Sequence, residues 1–432
     1  SAPFLGRPTA RCLEEGEISL RYDDKGLFLA YYEHRFPLAL NSYGQVFGRS
    51  DGAPEKEEVS DEVAAWLDRI GKLTRWRDPL GQGLKGLRLD LWMRYTASPD
   101  IRRLVDRQLA SFNGEDRHER LVRLIKAQYF HLCPWQTAAG AINYRRFFSI
   151  NGLIAVRQED RRVFDMTHAL AARLARSGVF TGLRVDHIDG LLSPGRYLNW
   201  IRDACGDCFL VVEKITASDE RLPAHWPVQG TTGYEFAAHL DRLFAFAEGE
   251  AALTGIYAEF CGPQPAFQSV VAASKAQVLQ QEFKGDLDNL TARFRALPEL
   301  EGVSVQDLRE SLGLLLVHMP VYRTYLGDRP LRKTDYNFLN GAVEAAAAQR
   351  GDMHPCLLRL RDLMLSTGDR LADARQAHPV DNPLRRAVGA FEQLCAALTA
   401  KGVEDTAMYR YHRLSALNDV GADPRLFAES PA

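Results

Sequence analysis

Two short apolar segments, each ending in a carboxylate, constrain the fold of this chain more than any other feature. They are Gly182-Leu-Arg-Val-Asp-His187 and Val211-Val-Glu-Lys-Ile215, and we predict both to be buried β-strands. Because side chains alternate between the two faces of a strand, Arg184 and Asp186 should point the same way, and Glu213 ends the second segment. A helix predicted over about 193–204 lies between them. Strand–helix–strand with short loops indicates a parallel βαβ unit.

The two carboxylates are therefore expected at the carboxyl ends of neighbouring strands, where barrel enzymes place catalytic groups. Two adjacent carboxylates can divide the cleavage of a glycosidic bond, one as nucleophile and the other as proton donor. An exposed Asp with a pKa of roughly 3.9 is already ionised at neutral pH. Glu213, as the proton donor, would need a raised pKa, which an apolar strand end and a nearby anion favour. A carboxylate at a strand end is more often a cap or an ion-pair partner, so the pair alone leaves both interpretations open.

The length of the chain indicates one large domain with insertions, or two to three units, because 432 residues exceed one small core. Apolar and charged fractions of 46% and 25% are typical of soluble globular proteins. A net charge of −2 gives no reason to expect nucleic acid or an anionic membrane as a partner. The seven cysteines are scattered, apart from Cys205 and Cys208, which are weak support for zinc. Free thiols and a cytoplasmic location are predicted.

Outside the βαβ unit the chain is predicted to be mostly helical. Residues 16–40 have the pattern of a hairpin with a turn at Asp23–Gly26. Residues 41–135 lack strand alternation and contain helical apolar spacing, and the chain is helical again from about 234 to 400. Asn382, before a proline, is a good helix start.

The predicted fold class is α/β, as part of a (β/α)8 TIM barrel carrying two large, mostly helical insertions, in a chain that is itself rich in helix. Only two or three core strands are recognisable, fewer than a closed barrel needs. A helix with Met166 and Leu170 in its apolar stripe precedes the first carboxylate strand and stops at Gly178. The expected parts are a hairpin with a helical subdomain, a catalytic barrel segment and a second helical subdomain, over residues 1–140, 141–240 and 241–432.

Several longer strings resemble the maltooligosyl trehalose synthases, a branch of the α-amylase superfamily, over nearly the whole chain. The strings are Ala30-Tyr-Tyr-Glu-His-Arg-Phe-Pro37, Ile142-Asn-Tyr-Arg-Arg-Phe-Phe148, Gly182-Leu-Arg-Val-Asp-His-Ile-Asp-Gly190, Val212-Glu-Lys-Ile215, Gly230-Thr-Thr-Gly-Tyr234, Pro320-Val-Tyr-Arg-Thr-Tyr325 and Lys401-Gly-Val-Glu-Asp-Thr-Ala407. The Gly-x-Arg-x-Asp string alone suggests only the superfamily. The strings that begin at Ile142 and at Lys401 are much more specific to this branch.

The resemblance implies a role for each matching residue. Asp186 would be the nucleophile, Glu213 the general acid/base, and Arg184 would orient Asp186 and keep it ionised. His187 would contact the sugar beside the scissile bond. Further substrate contacts are implied at Asn143, Tyr144, Arg145, Lys214, Tyr234, Lys401, Glu404 and Asp405. Loop aromatics, a Gly-flanked turn and charges after a helix end are the competing structural explanations. No metal ion or organic cofactor is implied.

The chain also departs from the family pattern. The superfamily uses a third carboxylate, an Asp that follows His on a later strand, and this sequence has no His-Asp dipeptide. The Asp-x-x-x-Asn-His motif is absent as well. Ala139-Gly-Ala141 replaces acidic residues, and Ser149 stands where Asp is common. Family members begin before the match to Ser1 and continue after Ala432. The chain is therefore expected to be an internal fragment, inactive unless the third carboxylate is supplied.

The function predicted from the resemblance is an intramolecular transglucosylation of maltooligosaccharides. It would convert the α-1,4 linkage at the reducing end to an α,α-1,1 linkage by a retaining double displacement. Two alternatives stay open. One is an amylase-like α-glucan hydrolase. The other is a non-catalytic α-glucan-binding fragment, or one subunit of a split enzyme in which a complementary polypeptide supplies the missing barrel strands.

Overall fold

A computed structural model describes most of the chain, and the part of the chain that it describes consists of residues 1–47, 60–75, 83–114, 117–218, 220–328, 330–369 and 382–429. The chain forms two compact units, an N-terminal unit of residues 1–142 and a C-terminal unit of residues 143–432. The second and third of the expected parts therefore lie in one compact unit. Their division by role stays a prediction.

The described part of the N-terminal unit contains two small sheets. Its strands are β1 (Ala2–Leu5), β2 (Ile18–Asp23), β3 (Gly26–Tyr31), β4 (His34–Pro37) and β5 (Leu132–Pro134). Strands β2 and β3 form the predicted hairpin, which β4 extends to an antiparallel meander, and β1 pairs with β5 in parallel. Leu29 lies opposite both Leu20 and Phe36, and all three side chains are buried. The alternation in the sequence thus places one face of the meander on the core of this unit.

Helices cover that core. They are α1 (Thr9–Glu14), α2 (Tyr43–Phe47), α3 (Asp61–Thr74), α4 (Leu84–Ala97), α5 (Pro99–Asn113), α6 (Arg117–Lys126) and α7 (Ala138–Ala141). The Ser60 hydroxyl caps α3 by accepting a hydrogen bond from the Val63 amide at 3.5 Å. Trp66 on this helix is fully buried, and its ring meets that of Phe47 edge to face. The prediction that this part of the chain is mostly helical is confirmed for the described residues.

The described part of the C-terminal unit begins with short strands, and each predicted carboxylate directly follows one of them. The strands are the short hairpin β6 (Arg146–Phe147) and β7 (Ile150–Ile154), and the parallel strands β8 (Gly182–Val185), β9 (Phe209–Val212) and β10 (Gly230–Thr231). The parallel strands lie in the order β8-β9-β10. Helices α8 (Arg161–Arg176) and α9 (Pro194–Cys205) flank β8 in sequence, and both pack on its apolar face through Phe164 and Leu198. The predicted βαβ unit is confirmed.

The expectation that both carboxylate strands are buried is wrong for β8. Its side chains alternate between exposed and half-buried positions. The predicted apolar stripe of α8 is also largely in solvent, because Met166 is 71% and Leu170 57% exposed. The physical reason is that, within the described residues, β8 pairs with β9 alone and has no neighbour on its other edge. Sequence periodicity identifies which face of a helix or strand is apolar. It does not show whether that face is buried, because burial requires a second element to cover it.

The rest of the C-terminal unit is helical, as predicted. It contains α10 (Tyr234–Leu243), α11 (Glu250–Cys261), α12 (Phe267–Gln281), α13 (Lys284–Arg295), α14 (Val305–His318), α15 (Lys333–Gln349), α16 (His354–Asp369) and α17 (Pro383–Thr399). The Asn382 side chain caps α17 by accepting from the Arg385 amide at 3.1 Å. The main core of the unit packs α17 against α12–α16. The helical region extends beyond the predicted end near residue 400, because a π-helical segment, Ala400–Ala407, continues directly from α17.

The prediction about the cysteines can be compared with the structure. All seven cysteines are free thiols, as predicted. In the part of the chain that the structure describes, no helix combines the length and the apolar character needed to cross a bilayer.

Candidate active site

The two predicted catalytic carboxylates leave adjacent parallel strands at the same level. Val185 at the end of β8 lies beside Val212 at the end of β9, and the Glu213 amide donates a hydrogen bond to the Val185 carbonyl at 2.8 Å. Asp186 and Glu213 are each the next residue after these partners. The βαβ connection thus brings together two carboxylates that are far apart in the sequence.

Arg184 links the two carboxylates. Its Nη1 atom lies 2.5 Å from Asp186 Oδ1, and its Nη2 atom lies 3.5 Å from Glu213 Oε1. The bond to Asp186, together with the charge of Glu213, raises the pKa of the Arg184 guanidinium. The Asp186 side chain is 59% exposed, whereas that of Glu213 is 23% exposed. One carboxylate is thus open to solvent and the other is more enclosed, and their roles as nucleophile and proton donor stay a prediction.

His187 adopts a left-handed backbone conformation that turns the chain back over Glu213. Its φ is 47°, and its amide donates to Glu213 Oε2 at 2.6 Å. The imidazole packs against the rings of Phe147 and Phe148, with centroids 5.5 and 4.8 Å away. Gly190 allows this arrangement, because a Cβ atom there would lie 2.3 Å from His187 Cδ2. Burial lowers the pKa of His187, which favours the neutral ring.

The π-helical segment places two further predicted site residues, Lys401 and Asp405, near the aromatic rings that contact His187. Lys401 forms an ion pair with Asp405 at 2.5 Å, and its Nζ atom lies 5.9 Å from the centre of the Phe148 ring. Because Phe148 also contacts His187, the string that begins at Ile142 and the string that begins at Lys401 meet at one aromatic side chain. π-Helical turns occur frequently at functional sites.

Tyr234 and Glu404 also lie near Glu213. The Tyr234 hydroxyl is 3.5 Å from Glu213 Oε1. Burial, together with the nearby charges of Asp405 and Glu213, raises the pKa of Glu404 to about 7, although the Tyr322 hydroxyl opposes the change. Glu404 can therefore change its protonation state near neutral pH.

The structure corrects the predicted role of Lys214. Its side chain is 1% exposed and lies behind the site, where it forms ion pairs with Asp189 and Glu220. A direct contact with substrate is incompatible with this burial. The reason is the alternation along the strand direction, because the residue after Glu213 points to the opposite face of the sheet.

Three other predicted contacts belong to the hairpin of β6 and β7 or to its approach. Arg145 donates to the Gly190 carbonyl, and burial lowers its pKa to about 10, so the guanidinium stays charged. The Tyr144 hydroxyl donates to the Asn151 carbonyl at 2.9 Å. Asn143 is exposed. Arg145 and Tyr144 thus hold the hairpin and the turn after β8 in place, and their contact with substrate stays a prediction.

Comparisons with known proteins identify relatives of this chain. No model of a protein family matches the chain. A Mycobacterium tuberculosis protein that is provisionally named a maltooligosyl trehalose synthase is 33% identical over 306 residues, which are 71% of this chain and 36% of that protein. The solved structure of maltooligosyltrehalose synthase from Arthrobacter ramosus is 30% identical, with a TM-score of 0.66, over 99% of this chain and 42% of that one. The chain is homologous to an internal portion of the maltooligosyl trehalose synthases.

A more distant relative shares the fold. A Sulfolobus tokodaii protein described as a hypothetical maltooligosyl trehalose synthase is 24% identical, with a TM-score of 0.57, over 99% of this chain and 42% of that protein. The chain thus spans less than half the length of the maltooligosyl trehalose synthases that it matches. The resemblance stated from the sequence strings, to an internal portion of this family, is confirmed.

Sequence reasoning missed several residues around the carboxylates. Tyr322 lies beside Glu404, and Asp189, Glu220 and Tyr325 surround Lys214. The sequence strings that carried the resemblance to the maltooligosyl trehalose synthases include Asp189, Tyr322 and Tyr325. Those strings could therefore have identified these three residues as candidates. Glu220 had no such signal, because it lies in an irregular loop after β9.

The raised pKa of Glu404 predicts a pH-dependent stability. A carboxyl group whose folded pKa of about 7 exceeds its unfolded value binds more protons in the folded state between the two values. The contribution of Glu404 therefore lowers stability as pH rises from about 4.5 to 7. We expect Glu404→Gln to leave the free energy of unfolding nearly unchanged at pH 4.5. At pH 8 it should raise that energy by about 1–3 kcal/mol.

Urea denaturation of both proteins at the two pH values measures this difference. Asp405→Asn is the matched control, because the neighbouring Asp405 side chain is 56% exposed and should give no gain at pH 8. An equal gain for Glu404→Gln at both pH values would contradict the prediction.

Proposed function

We propose that this chain carries the nucleophile and the general acid/base of a maltooligosyl trehalose synthase. The reaction is an intramolecular transglucosylation that converts the α-1,4 linkage at the reducing end of a maltooligosaccharide to an α,α-1,1 linkage. The observation that carries the proposal is the contact of one guanidinium, that of Arg184, with both Asp186 and Glu213 at adjacent strand ends. The homology to maltooligosyl trehalose synthases supports the same chemistry.

In the proposed mechanism, Asp186 attacks the anomeric carbon of the penultimate glucose. Glu213 protonates the departing oxygen, and a covalent glycosyl-enzyme forms as the terminal glucose leaves. The freed glucose reorients without escaping. Glu213, now a carboxylate, removes the proton from its anomeric hydroxyl, and that oxygen attacks the glycosyl-enzyme to displace Asp186. Two displacements retain the α configuration, and the product has no reducing end.

Isomerisation depends on holding the released glucose and excluding water. The groups proposed to do so surround the carboxylates: the rings of Phe147 and Phe148, the imidazole of His187, and the polar side chains of Tyr234, Lys401 and Glu404. Aromatic faces stack on sugar rings, and the Lys401 ammonium beside Phe148 supplies a donor for a hydroxyl. Asp405 orients that ammonium through its ion pair.

We further propose that β8, β9 and β10 are three strands of a (β/α)8 barrel, whose catalytic groups lie at the carboxyl ends of the strands. The apolar surface around β8 supports this fold, because Phe209 is 58% and Val179 65% exposed in addition to the α8 stripe. Such a surface is costly in water unless another element covers it. The remaining strands, and the third carboxylate, would come from a complementary polypeptide or from further sequence of the same protein. A cytoplasmic location belongs to the same proposal.

Two alternatives keep specific support. An amylase-like hydrolase would use the same carboxylates, with water in place of the released glucose, and the 59% exposure of Asp186 favours access of water. A non-catalytic α-glucan-binding fragment, or a subunit of a split enzyme, is favoured by the absence of a His-Asp dipeptide from this sequence.

Incubation of the protein with maltopentaose tests the proposal. We expect reducing ends to disappear while a non-reducing pentasaccharide accumulates on chromatography. A rise in reducing ends with shorter products would indicate the hydrolase instead. If nothing is converted but maltopentaose binds in calorimetry, the chain is a binding fragment or a subunit.

A further inference from the structure

We propose that a buried ion cluster, Asp189–Lys214–Glu220, positions the two catalytic carboxylates from behind. The inference rests on the proposed function, because it assigns a positioning role within that active site. Its three members follow the catalytic residues closely in sequence. Asp189 is three residues after Asp186, and Lys214 is the residue after Glu213.

The ammonium of Lys214 joins the ends of the two catalytic strands. Its Nζ atom lies 3.0 Å from Asp189 Oδ2, beyond the end of β8, and 2.9 Å from Glu220 Oε1, in the loop after β9. All three side chains are at most 8% exposed. The other oxygen of Asp189 accepts a hydrogen bond from the Tyr325 hydroxyl, and Glu220 Oε2 accepts one from the Ala217 amide at 3.1 Å. Every carboxylate oxygen of the cluster therefore has a partner.

The turn that contains Asp189 is also held through its carbonyl oxygens. Arg323 donates to the carbonyls of Asp189 at 2.9 Å and Leu192 at 2.8 Å. Gln393 donates to the carbonyl of Gly190 at 3.0 Å. This turn begins at His187, whose amide bonds to Glu213. A displacement of Asp189 would therefore be transmitted through three residues to the contact between the two halves of the active site.

Charge gives the cluster its effect on geometry. Burial alone would lower the pKa of Lys214, but the two carboxylates outweigh it and raise that pKa, so the ammonium persists. Without the ammonium, Asp189 and Glu220 would each lose a hydrogen-bond donor, and burial would favour uptake of a proton by the pair. The turn after β8 and the loop after β9 would then no longer be tied together through a shared cation. Because misplacement of catalytic groups by about 1 Å can reduce a rate on the order of 10²-fold, a small shift would be sufficient.

A merely stabilising cluster would act differently. It would change the global stability of the C-terminal unit and leave the Asp186–Glu213 geometry intact in the folded molecules. The decisive measurements are therefore local ones at His187 and kinetic ones that separate kcat from KM.

The experiment compares three variants of the full chain: Asp189→Asn, Lys214→Met and, as matched control, Asp335→Asn. Asp335 is also a buried aspartate, 1% exposed, and it caps α15 by accepting from the Arg332 amide at 2.7 Å. Amide exchange of His187 is followed by NMR, and kcat and KM are measured with maltopentaose. We expect exchange at His187 to be at least about tenfold faster in both cluster variants than in Asp335→Asn. The kcat should fall roughly 10²-fold in Lys214→Met, with KM within about threefold of the original value.

The outcomes separate the inference from the proposed function. If the unmodified chain converts no maltopentaose, the proposed activity of this chain fails, and exchange at His187 still decides the role of the cluster. Exchange that is no faster than in Asp335→Asn overturns the inference whatever the activity. If Lys214→Met does not fold, Asp189→Asn decides the matter, because Asn keeps the shape and an acceptor for Tyr325, while its NH2 group replaces the oxygen that accepts from Lys214.

Discussion

Replacing Asp186 by Asn is expected to abolish the conversion of maltopentaose, with a loss in kcat of roughly 10⁴-fold or more. The amide is nearly the same size as the carboxylate, but it cannot form the covalent glycosyl-enzyme. Arg184 would also lose the anion that it contacts at 2.5 Å, while its weaker contact with Glu213 remains. Conversion is measured by chromatography of products and by a reducing-end assay.

Asp352→Asn is the matched control for this substitution. Its side chain is also 59% exposed and forms an ion pair with an arginine, Arg350, at 2.7 Å, away from the strand ends. This variant should retain activity within about twofold, because an exposed ion pair contributes little to stability. Full activity of Asp186→Asn would remove Asp186 from the mechanism and with it the proposed double displacement.

The positions of the two carboxylates could be predicted because they depend on simple rules. Alternation along a strand places Arg184 and Asp186 on one face, and the βαβ connection makes the strands parallel neighbours. These rules hold whether or not the rest of a barrel is present. They do not fix how strongly β8 is buried, because burial depends on what lies against its other edge.

The same alternation should have revealed the position of Lys214. If Glu213 faces the site, the next residue faces away from it, yet the resemblance to the family suggested a substrate contact. What alternation could not predict is the partner of the buried ammonium, since Glu220 follows an irregular stretch of chain. Long-range partners of this kind depend on the whole fold, as the contact of Lys401 with Phe148 also shows.

The exposed apolar residues connect the fold with the proposed function. The apolar residues of α8 recur in the sequence at helical spacing, but the side chains of Met166 and Leu170 are exposed to solvent in the structure. Such a stripe normally packs on a neighbouring element. The apolar spacing and the exposure together indicate a surface suited to packing against another element, and the chain spans less than half of its homologues.

A second large effect is expected from Arg323→Met, which should lower the free energy of unfolding by about 3–5 kcal/mol at pH 8. The Arg323 side chain is 1% exposed and lies 3.2 Å from Glu392, which is equally buried. Glu392 also accepts hydrogen bonds from the Thr324 hydroxyl at 2.9 Å and the Leu326 amide at 2.6 Å. Without the guanidinium, these two donors would face a buried carboxylate that has no compensating cation.

The pH dependence of this loss has a definite sign. Burial already raises the pKa of Glu392, and Arg323 opposes that rise. In Arg323→Met the folded pKa should therefore be higher still, so the folded variant takes up a proton more readily than the unfolded chain. The penalty should be largest above that folded pKa and should decrease as the pH is lowered towards about 4.5.

Urea denaturation at pH 5 and pH 8 measures the effect, and two further variants identify its cause. Arg361→Met removes an arginine from an ion pair whose Asp362 side chain is 65% exposed, and should cost at most about 1 kcal/mol. The double variant Arg323→Met with Glu392→Gln should recover part of the loss at pH 8, because Gln still accepts both hydrogen bonds and carries no charge. If the double variant were as unstable as Arg323→Met at both pH values, the loss would come from the bonds of Arg323 to the backbone carbonyls of the turn after β8, and not from an uncompensated charge on Glu392.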